Sequence, residues 1–388
     1  MNISNRINKI PPYLFFEISK KIKKAQSEGR DIVDFGIGDP DIPTPDFIIN
    51  SLIDEAKNPV NHRYPDSDGM PALRENIADW YLRRFKVNLD PNTEVISLIG
   101  AKEGVGHAAF AFLDPGDIAL IPDPHYPVYS RGTWFAGAEC HFMPLNEENK
   151  FLPDFSKIPN EVIKKSKIMW LNYPNNPTGA VADADFYKQA IEFGMKNNII
   201  ILHDAAYSEI TFDGYKAPSI MEFPNAKEIS IEFHSLSKAY NMTGWRVGSV
   251  VGNKDLISAL TTIKSNLDSG IPQAIQHMAI SALNSDNSVI SQNIEIYKTR
   301  RDRLISALEL FGLKVTAPKA GLYLWIKVPE GHDSSSFTEF LLDKLDIVVT
   351  PGNGFGDSGE GYFRISLTTP DKDIEKAIER LESINLNN

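Results

Sequence analysis

Hydrophobic residues along the chain fall into short continuous runs that are separated by amphipathic stretches. The continuous runs predict buried strands at 95–99, 118–121, 168–171, 199–202, 229–233 and 247–251. Apolar residues at helical spacing predict helices at 45–57, 69–85, 101–113, 183–196, 254–266 and 270–283. Strands that are apolar on both faces and alternate with helices are typical of a mostly parallel sheet covered on both sides. This region therefore predicts an α/β fold.

The pattern changes after a long helix that is predicted at 286–311. Beyond it, strands are predicted at 323–328 and 362–367, and helices at 335–345 and 371–384. This mixture is typical of a smaller α+β unit. A basic N-terminal arm with a helix at 14–26 precedes the first region. We expect a large domain at 45–285, and a small domain made of 1–44 and 286–388.

Composition limits the kinds of partner that the chain can have. It has 388 residues, enough for two domains, and a net charge of -11, which argues against nucleic acid. The single cysteine, Cys140, excludes a disulfide within the chain. No apolar run approaches the roughly 20 residues of a membrane helix. We expect a cytoplasmic protein that binds neither nucleic acid nor membrane.

Residues that carry chemistry follow several of the predicted strands. They are Gly100, Ala101, Lys102, Tyr126, Asn176, Asp204, Tyr207, Ser235, Ser237, Lys238 and, somewhat later, Arg246. Ligands of open α/β sheets bind at the carboxyl ends of the strands, so these side chains are expected at one edge. Taken singly, each has an ordinary structural explanation, such as a helix cap, a turn or a solvated lysine.

Together these residues suit pyridoxal phosphate. Lys238 supplies an amine for the cofactor's aldehyde, and Ser235, Ser237 and Arg246 supply donors for its phosphate. Asp204 is expected to pair with the ring nitrogen and keep it protonated. The ring oxygen is assigned to Tyr207 and Asn176, and the ring face to Tyr126. Catalysis is assigned to Lys238, Asp204 and Tyr207, with no metal.

Three segments resemble, in order, the class I and II (fold type I) aminotransferases that depend on pyridoxal phosphate. They are Tyr173–Gly179, His203–Tyr207 and Ser235–Arg246. The resemblance spans about Tyr13 to Pro370. It implies a large domain with a mostly parallel seven-stranded sheet, a smaller α+β domain, and ping-pong transfer of an amino group between an amino acid and a keto acid.

Other segments resemble the bacterial and archaeal LL-diaminopimelate aminotransferases of that family, among them Pro11–Phe15, Gly36–Asp41, His62–Pro65 and Asp123–Tyr129. This likeness implies a homodimer in which Tyr64 reaches the cofactor phosphate of the neighbouring subunit, and cofactor contacts from Ala101 and Lys102. It implies exchange between glutamate/2-oxoglutarate and LL-diaminopimelate/tetrahydrodipicolinate. Substrate contacts are expected from Tyr13, Gly38, Lys102, Tyr126, Asn176, Asn266 and Arg364.

Alternatives to this substrate remain open. The segment 239–245 also resembles alanine and aromatic aminotransferases, so aspartate, alanine or aromatic amino acids are alternative substrates. A β-lyase that uses pyridoxal phosphate on the same fold is a second alternative. A pyridoxal-binding regulator is disfavoured, because the sequence shows no basic helix-turn-helix.

Overall fold

A seven-stranded sheet lies at the centre of the computed structural model, which describes residues 4, 7–11, 14–286, 288–384 and 386. The strands, in chain order, are β1 Val33–Asp34, β2 Val95–Ile99, β3 Ile118–Asp123, β4 Glu139–Pro144, β5 Ser166–Asn172, β6 Ile200–Asp204, β7 Ser230–Ser235, β8 Val247–Gly252, β9 Tyr323–Lys327, β10 Ile347–Val348, β11 Thr350–Pro351 and β12 Tyr362–Ser366. The central sheet has the order β2-β8-β7-β6-β5-β3-β4.

α-Helices connect many of these strands. In chain order they are α1 Leu14–Ser27, α2 Asp46–Ala56, α3 Pro71–Phe85, α4 Ala101–Phe112, α5 Val128–Phe135, α6 Asn160–Lys165, α7 Ala184–Asn197, α8 Ala226–Ile229, α9 Leu236–Ala239, α10 Lys254–Leu267, α11 Gln273–Leu283, α12 Ser288–Phe311, α13 Ser334–Leu345 and α14 Asp371–Glu382. Within the described ranges, no helix combines the length and the apolar character that crossing a membrane requires.

Both faces of the central sheet are buried. Alternate residues of β5 enter different hydrophobic cores, with Met169 and Leu171 in one core and Ile168 and Trp170 in the other. Side chains of successive strand residues point to opposite faces, so the two cores lie on opposite sides of the sheet. This explains why the strand sequences are continuously apolar rather than alternating. The predicted α/β class is confirmed.

Strand direction decides which residues meet at one edge. β4, β3, β5, β6 and β7 run parallel, whereas β8 is antiparallel to both of its neighbours, β7 and β2. β2 therefore points the same way as β7, and its carboxyl end reaches the same edge. Because β8 runs in the opposite direction, its first residues also lie there. The edge thus collects the residues that come after β2, β3, β5, β6 and β7 and those that come before β8.

A third core is formed mainly by the C-terminal part of the chain. The antiparallel sheet β11-β12-β9 and the parallel pair β1-β10 contribute to it. Val33 and Phe35, from the N-terminal segment, and Tyr207 and Phe212, from the loop after β6, are buried in the same core. The loop after β6 therefore packs into this smaller unit, while the Ala205 N–H at its start donates to the Phe233 carbonyl of β7 at 2.9 Å.

Candidate active site

A cavity of about 490 Å³ lies at the carboxyl edge of the central sheet. It is lined by many of the residues that the sequence pointed to: Gly38, Ala101, Lys102, Tyr126, Asn176, Asp204, Tyr207, Ser235, Ser237, Lys238 and Arg246. The elements that carry them are distant in sequence. Their convergence follows from the strand directions, since all of them except Gly38 lie close to a strand end at this edge.

Lys238 lies in α9, the single helical turn that follows β7. Its side chain is partly buried, and Nζ donates a hydrogen bond to the carbonyl oxygen of Gly38 at 2.7 Å. Burial lowers the pKa of Lys238 below its usual value, because the charged form loses hydration. A lowered pKa increases the fraction of neutral amine, the form that attacks an aldehyde.

Asp204 is the last residue of β6 and is buried. Its Oδ2 accepts a hydrogen bond from the Tyr129 hydroxyl at 2.8 Å, and its Oδ1 accepts one from the backbone N–H of Ala206 at 3.2 Å. Burial raises the pKa of Asp204, although these two hydrogen bonds oppose the shift. Within the described residues, none of the salt bridges includes Asp204. A cationic ligand atom beside it would supply the missing counter-charge.

One end of the cavity is rich in hydrogen-bond donors. The N-terminus of α4 begins after Gly100, whose φ of 71° is in the left-handed region. Ser235 and Ser237 face the same space, and the Ser235 Oγ accepts a hydrogen bond from the Ser237 N–H at 3.2 Å. The Arg246 guanidinium packs so closely on Gly100 that an added Cβ would collide with it. A helix N-terminus, two hydroxyls and a guanidinium form a site suited to phosphate.

Arg364 lies in β12, beside the cavity, and is fully buried. Its Nη1 donates to Asn176 Oδ1 at 2.8 Å and its Nη2 donates to the Gly36 carbonyl at 2.7 Å. The guanidinium also lies 4.1 Å from the centre of the Tyr323 ring. Since Asn176 lines the cavity, these contacts hold a buried cation close to the ligand space.

Sequence analysis did not assign roles to three residues that also line the cavity: Tyr129, Asn172 and Tyr323. Asn172 donates to the Asp204 carbonyl at 2.8 Å and so ties β5 to β6. Tyr129 comes three residues after Tyr126, and a helix starting at this point would have placed both rings on one side. Tyr323 begins a strand far along the chain, and its neighbours in sequence give no sign of a site.

Two expected residues, Tyr64 and Asn266, are described by the structure but do not line this cavity. Tyr64 is 89% exposed on the loop before α3. Asn266, near the end of α10, is exposed and donates to the Thr262 carbonyl of its own helix at 2.8 Å. Tyr13 lies outside the described residues. The expected roles of these residues stay predictions.

Comparison with known proteins identifies the family. Residues 30–381 match the family described as aminotransferase class I and II. The chain belongs to the class I and II aminotransferases. It is 59% identical over 381 residues to the LL-diaminopimelate aminotransferase of Dehalococcoides mccartyi strain 195, covering 98% of each chain. It is 51% identical over 384 residues to the enzyme of that name from Moorella thermoacetica, covering 99% of this chain and 98% of the relative.

A solved structure supports the same assignment. Substrate-bound BacF from Bacillus subtilis superposes with a TM-score of 0.95 at 39% identity, covering 99% of this chain and 98% of that chain. The fold predicted from the sequence and the resemblance to fold type I aminotransferases are thereby confirmed. The protein is a transaminase that uses pyridoxal phosphate, as this family does.

The cavity of this aminotransferase fits that cofactor. Asp204 is a buried carboxylate that lacks a salt bridge within the described chain, and a protonated pyridine nitrogen would pair with it. The donor-rich end suits the phosphate, and the partly buried amine of Lys238 suits the aldehyde. When bound, the cofactor supplies an electron sink for the bonds at the substrate's Cα.

Proposed function

We propose that this aminotransferase moves an amino group between LL-diaminopimelate/tetrahydrodipicolinate and glutamate/2-oxoglutarate. The observation that carries the proposal is the 59% identity, over 98% of both chains, to a relative named LL-diaminopimelate aminotransferase. Such identity over full length supports a shared substrate. The alternatives drawn from the sequence, other amino-acid substrates or a β-lyase, are distinguished from it by an amino-donor screen.

In this proposal the residues around the cavity bind different parts of the cofactor, and Lys238 also transfers a proton. Lys238 would hold the cofactor, and its amine would also take the proton from the substrate's Cα and keep it on Nζ during the transfer. Asp204 would pair with the ring nitrogen. Tyr207 and Asn176 would hydrogen-bond the ring oxygen, and Tyr126 would stack on the ring. Ser235, Ser237, Arg246 and the N–H groups of Ala101 and Lys102 would hold the phosphate.

Two cations recognise the carboxylates of the substrate. Arg364 is assigned the α-carboxylate, because its fork of donors is buried beside Asn176 and can bind two oxygens at once. Lys102 is an exposed side chain at the cavity wall and is assigned the distal carboxylate of LL-diaminopimelate. Gly38, Tyr13 and Asn266 complete the set of expected substrate contacts.

The amino-donor screen tests the substrate. Purified enzyme is given 2-oxoglutarate with LL-diaminopimelate, aspartate, alanine or phenylalanine, and glutamate formation is measured. We expect LL-diaminopimelate to have the highest kcat/KM. Lys102→Gln should raise KM for LL-diaminopimelate about five- to tenfold, the range for losing a charge-assisted hydrogen bond at an exposed site, and leave alanine unchanged.

The matched control is Lys254→Gln, because Lys254 is an exposed lysine in the first turn of another helix, α10. This variant should behave as wild type with every donor. A highest kcat/KM for aspartate, alanine or phenylalanine would reassign the substrate. A β-lyase would instead release pyruvate and ammonia, without any keto acid, from a donor that carries a thiol leaving group on Cβ, such as cysteine.

We also propose a homodimer with the sites at the interface, in which Tyr64 contacts the neighbour's cofactor phosphate. The exposure of Tyr64, a large aromatic side chain, supports this arrangement. The division into a large domain at 45–285 and a small domain of 1–44 with 286–388 is likewise a proposal. It is supported by the burial of Val33 and Phe35 in the C-terminal core. The cytoplasmic location stays a prediction.

A further inference from the structure

Tyr323 lies between two residues that have separate tasks in the proposed function. It is the first residue of β9 and is 3% exposed, and it lines the cavity. Its hydroxyl oxygen is 3.0 Å from the hydroxyl oxygen of Tyr207. The Arg364 guanidinium lies over the face of the same ring, 4.1 Å from its centre. One side chain therefore contacts both the residue assigned to the cofactor and the residue assigned to the substrate.

Sheet register fixes Tyr323 in this position. β9 and β12 are antiparallel, with Tyr323 opposite Ser366 and Arg364 opposite Trp325. Tyr323 and Arg364 are thus diagonal neighbours on one face of adjacent strands, within reach of long side chains. The hydroxyl end of Tyr323 packs against Gly38, where an added Cβ would collide with it. The ring has little freedom to move away from either partner.

The contact between the two phenols has a chemical consequence. Burial raises the pKa of Tyr207 well above its ordinary value, and the neighbouring Tyr323 adds to this shift, so Tyr207 keeps its proton. If Tyr207 donates that proton to the cofactor's ring oxygen, its own oxygen is free to accept one from Tyr323. Hydrogen bonds arranged in such a chain polarise and strengthen one another.

The contact between Tyr323 and Arg364 concerns the binding of substrate. A guanidinium stacked on an aromatic face is attracted to it and keeps its plane parallel to the ring. Phe355 lies on Arg364 as well, with its ring centre 4.7 Å away. Two aromatic faces and two hydrogen bonds leave Arg364 in one orientation, from which it can bind a carboxylate with both terminal nitrogens.

We propose that Tyr323 is a positioning residue that acts on both ligands, strengthening through its hydroxyl the bond from Tyr207 to the cofactor oxygen and orienting through its ring the substrate-binding Arg364. The inference rests on the proposed function. It assigns distinct roles to two parts of one side chain, and these can be removed separately.

Tyr323→Phe removes the hydroxyl and keeps the ring. A hydrogen bond to the ring oxygen favours the deprotonated form of the bound cofactor, so weakening it should raise the pH at which the cofactor's absorbance changes. We expect an increase of roughly half a pH unit, since cooperative strengthening is a fraction of one hydrogen bond. KM for amino acids should remain within about twofold of wild type, because the ring still covers Arg364.

Tyr323→Leu removes the ring as well. KM should then rise about five- to twentyfold for every amino acid alike, the range expected for losing a desolvated cation–π contact. The matched control is Tyr362→Phe in the paired strand β12, because the Tyr362 ring stacks on Trp325, with centres 5.2 Å apart. This control should change neither the absorbance titration nor KM.

An unchanged absorbance titration in Tyr323→Phe would overturn the role of the hydroxyl, and an unchanged KM in a folded Tyr323→Leu would overturn that of the ring. If Tyr323→Leu does not fold, the absorbance titration of Tyr323→Phe still tests the role of the hydroxyl. Failure of the proposed function looks different, because the wild-type protein would then bind no cofactor or fail to transfer amino groups from LL-diaminopimelate.

Discussion

Single buried polar residues hold the strands that carry the site. Behind the cavity, His203 Nδ1 and Glu232 Oε2 are 2.8 Å apart, joining β6 to β7. Glu232 also accepts hydrogen bonds from Tyr81 at 2.9 Å and Ser219 at 2.7 Å. Burial acts to raise the pKa of Glu232, but the contacts with His203, Ser219 and the backbone N–H of Ile220 outweigh it, and the pKa is lowered. The network fixes two strand ends, which carry Asp204 and Ser235.

His234, two residues after Glu232, should make the stability of the fold depend on pH. Burial against Trp80 lowers the pKa of His234 to about 4. Below about pH 6.5 the His234 imidazole becomes protonated in the unfolded chain but stays neutral in the folded chain, so lower pH favours unfolding. The free energy of unfolding should therefore fall as pH drops from 6.5 towards 4, by at most about 1.4 kcal/mol per unit from this residue. Urea unfolding between pH 7.5 and 5 measures this.

His234→Phe, which keeps a ring against Trp80, should make the pH dependence shallower. The control is His332→Gln, since His332 is an exposed histidine on the loop before α13 and its replacement leaves His234 and Trp80 unchanged, and its slope should match wild type. Equal slopes in all three proteins would show that His234 does not resist protonation.

At the scale of residues, the sequence indicated most of the cavity wall. Lys238, Asp204 and Asn176 each follow a recognisable strand in a recognisable motif, which is why they could be named. Tyr129 and Tyr323 could not, because their importance arises from partners distant in sequence, Asp204 and Tyr207. The same reason applies to Lys264, a fully buried lysine on α10 that pairs with the distant Glu103 at 3.1 Å.

At the scale of elements, long amphipathic and continuously apolar segments were predicted well. The strand at 95–99 and the helix at 101–113 occur within one residue of the predicted bounds, as β2 and α4. The helices at 45–57 and 69–85 are slightly shorter in the structure, α2 and α3, because their first residues form turns or caps.

The elements that sequence analysis missed have weak patterns. β4 is an edge strand, mostly exposed or half-buried, so it lacks the apolar run that marks its neighbours. α5 contains glycine, serine and threonine in only eight residues, too short for a clear periodicity. β1 and β10 are two residues each and form only because the folded chain brings them together. None of these changes the predicted fold class.

At the scale of the whole molecule, two segments mark the expected dimer surface. Tyr64 is 89% and Leu267 61% exposed. The segments that contain them adjoin, since Ser67 Oγ donates to the Asp268 carbonyl at 3.4 Å. The segment around Tyr64 and the end of α10 therefore form one surface with exposed apolar side chains, the kind of patch that a partner covers. Asn266 lies on this surface, so its side chain does not line the cavity of its own chain.

Leu267→Glu should weaken the dimer, because a charge would be buried in the interface. Sedimentation should show a concentration-dependent shift towards monomer, with loss of activity. Leu310→Glu is the matched control, since Leu310 is an equally exposed leucine (67%) on α12. A wild-type protein that is monomeric and active at assay concentration would contradict the shared site.

The central claim is that Lys238 holds pyridoxal phosphate at the carboxyl edge of the central sheet. The most direct measurement is reduction of the cofactor-loaded enzyme with borohydride, followed by proteolysis and mass spectrometry of the modified peptide. The expected result is one cofactor per chain, attached to Lys238, and no modification in Lys238→Ala. Attachment at Lys102 or another lysine, or a protein that remains colourless and unmodified with the cofactor added, would contradict it.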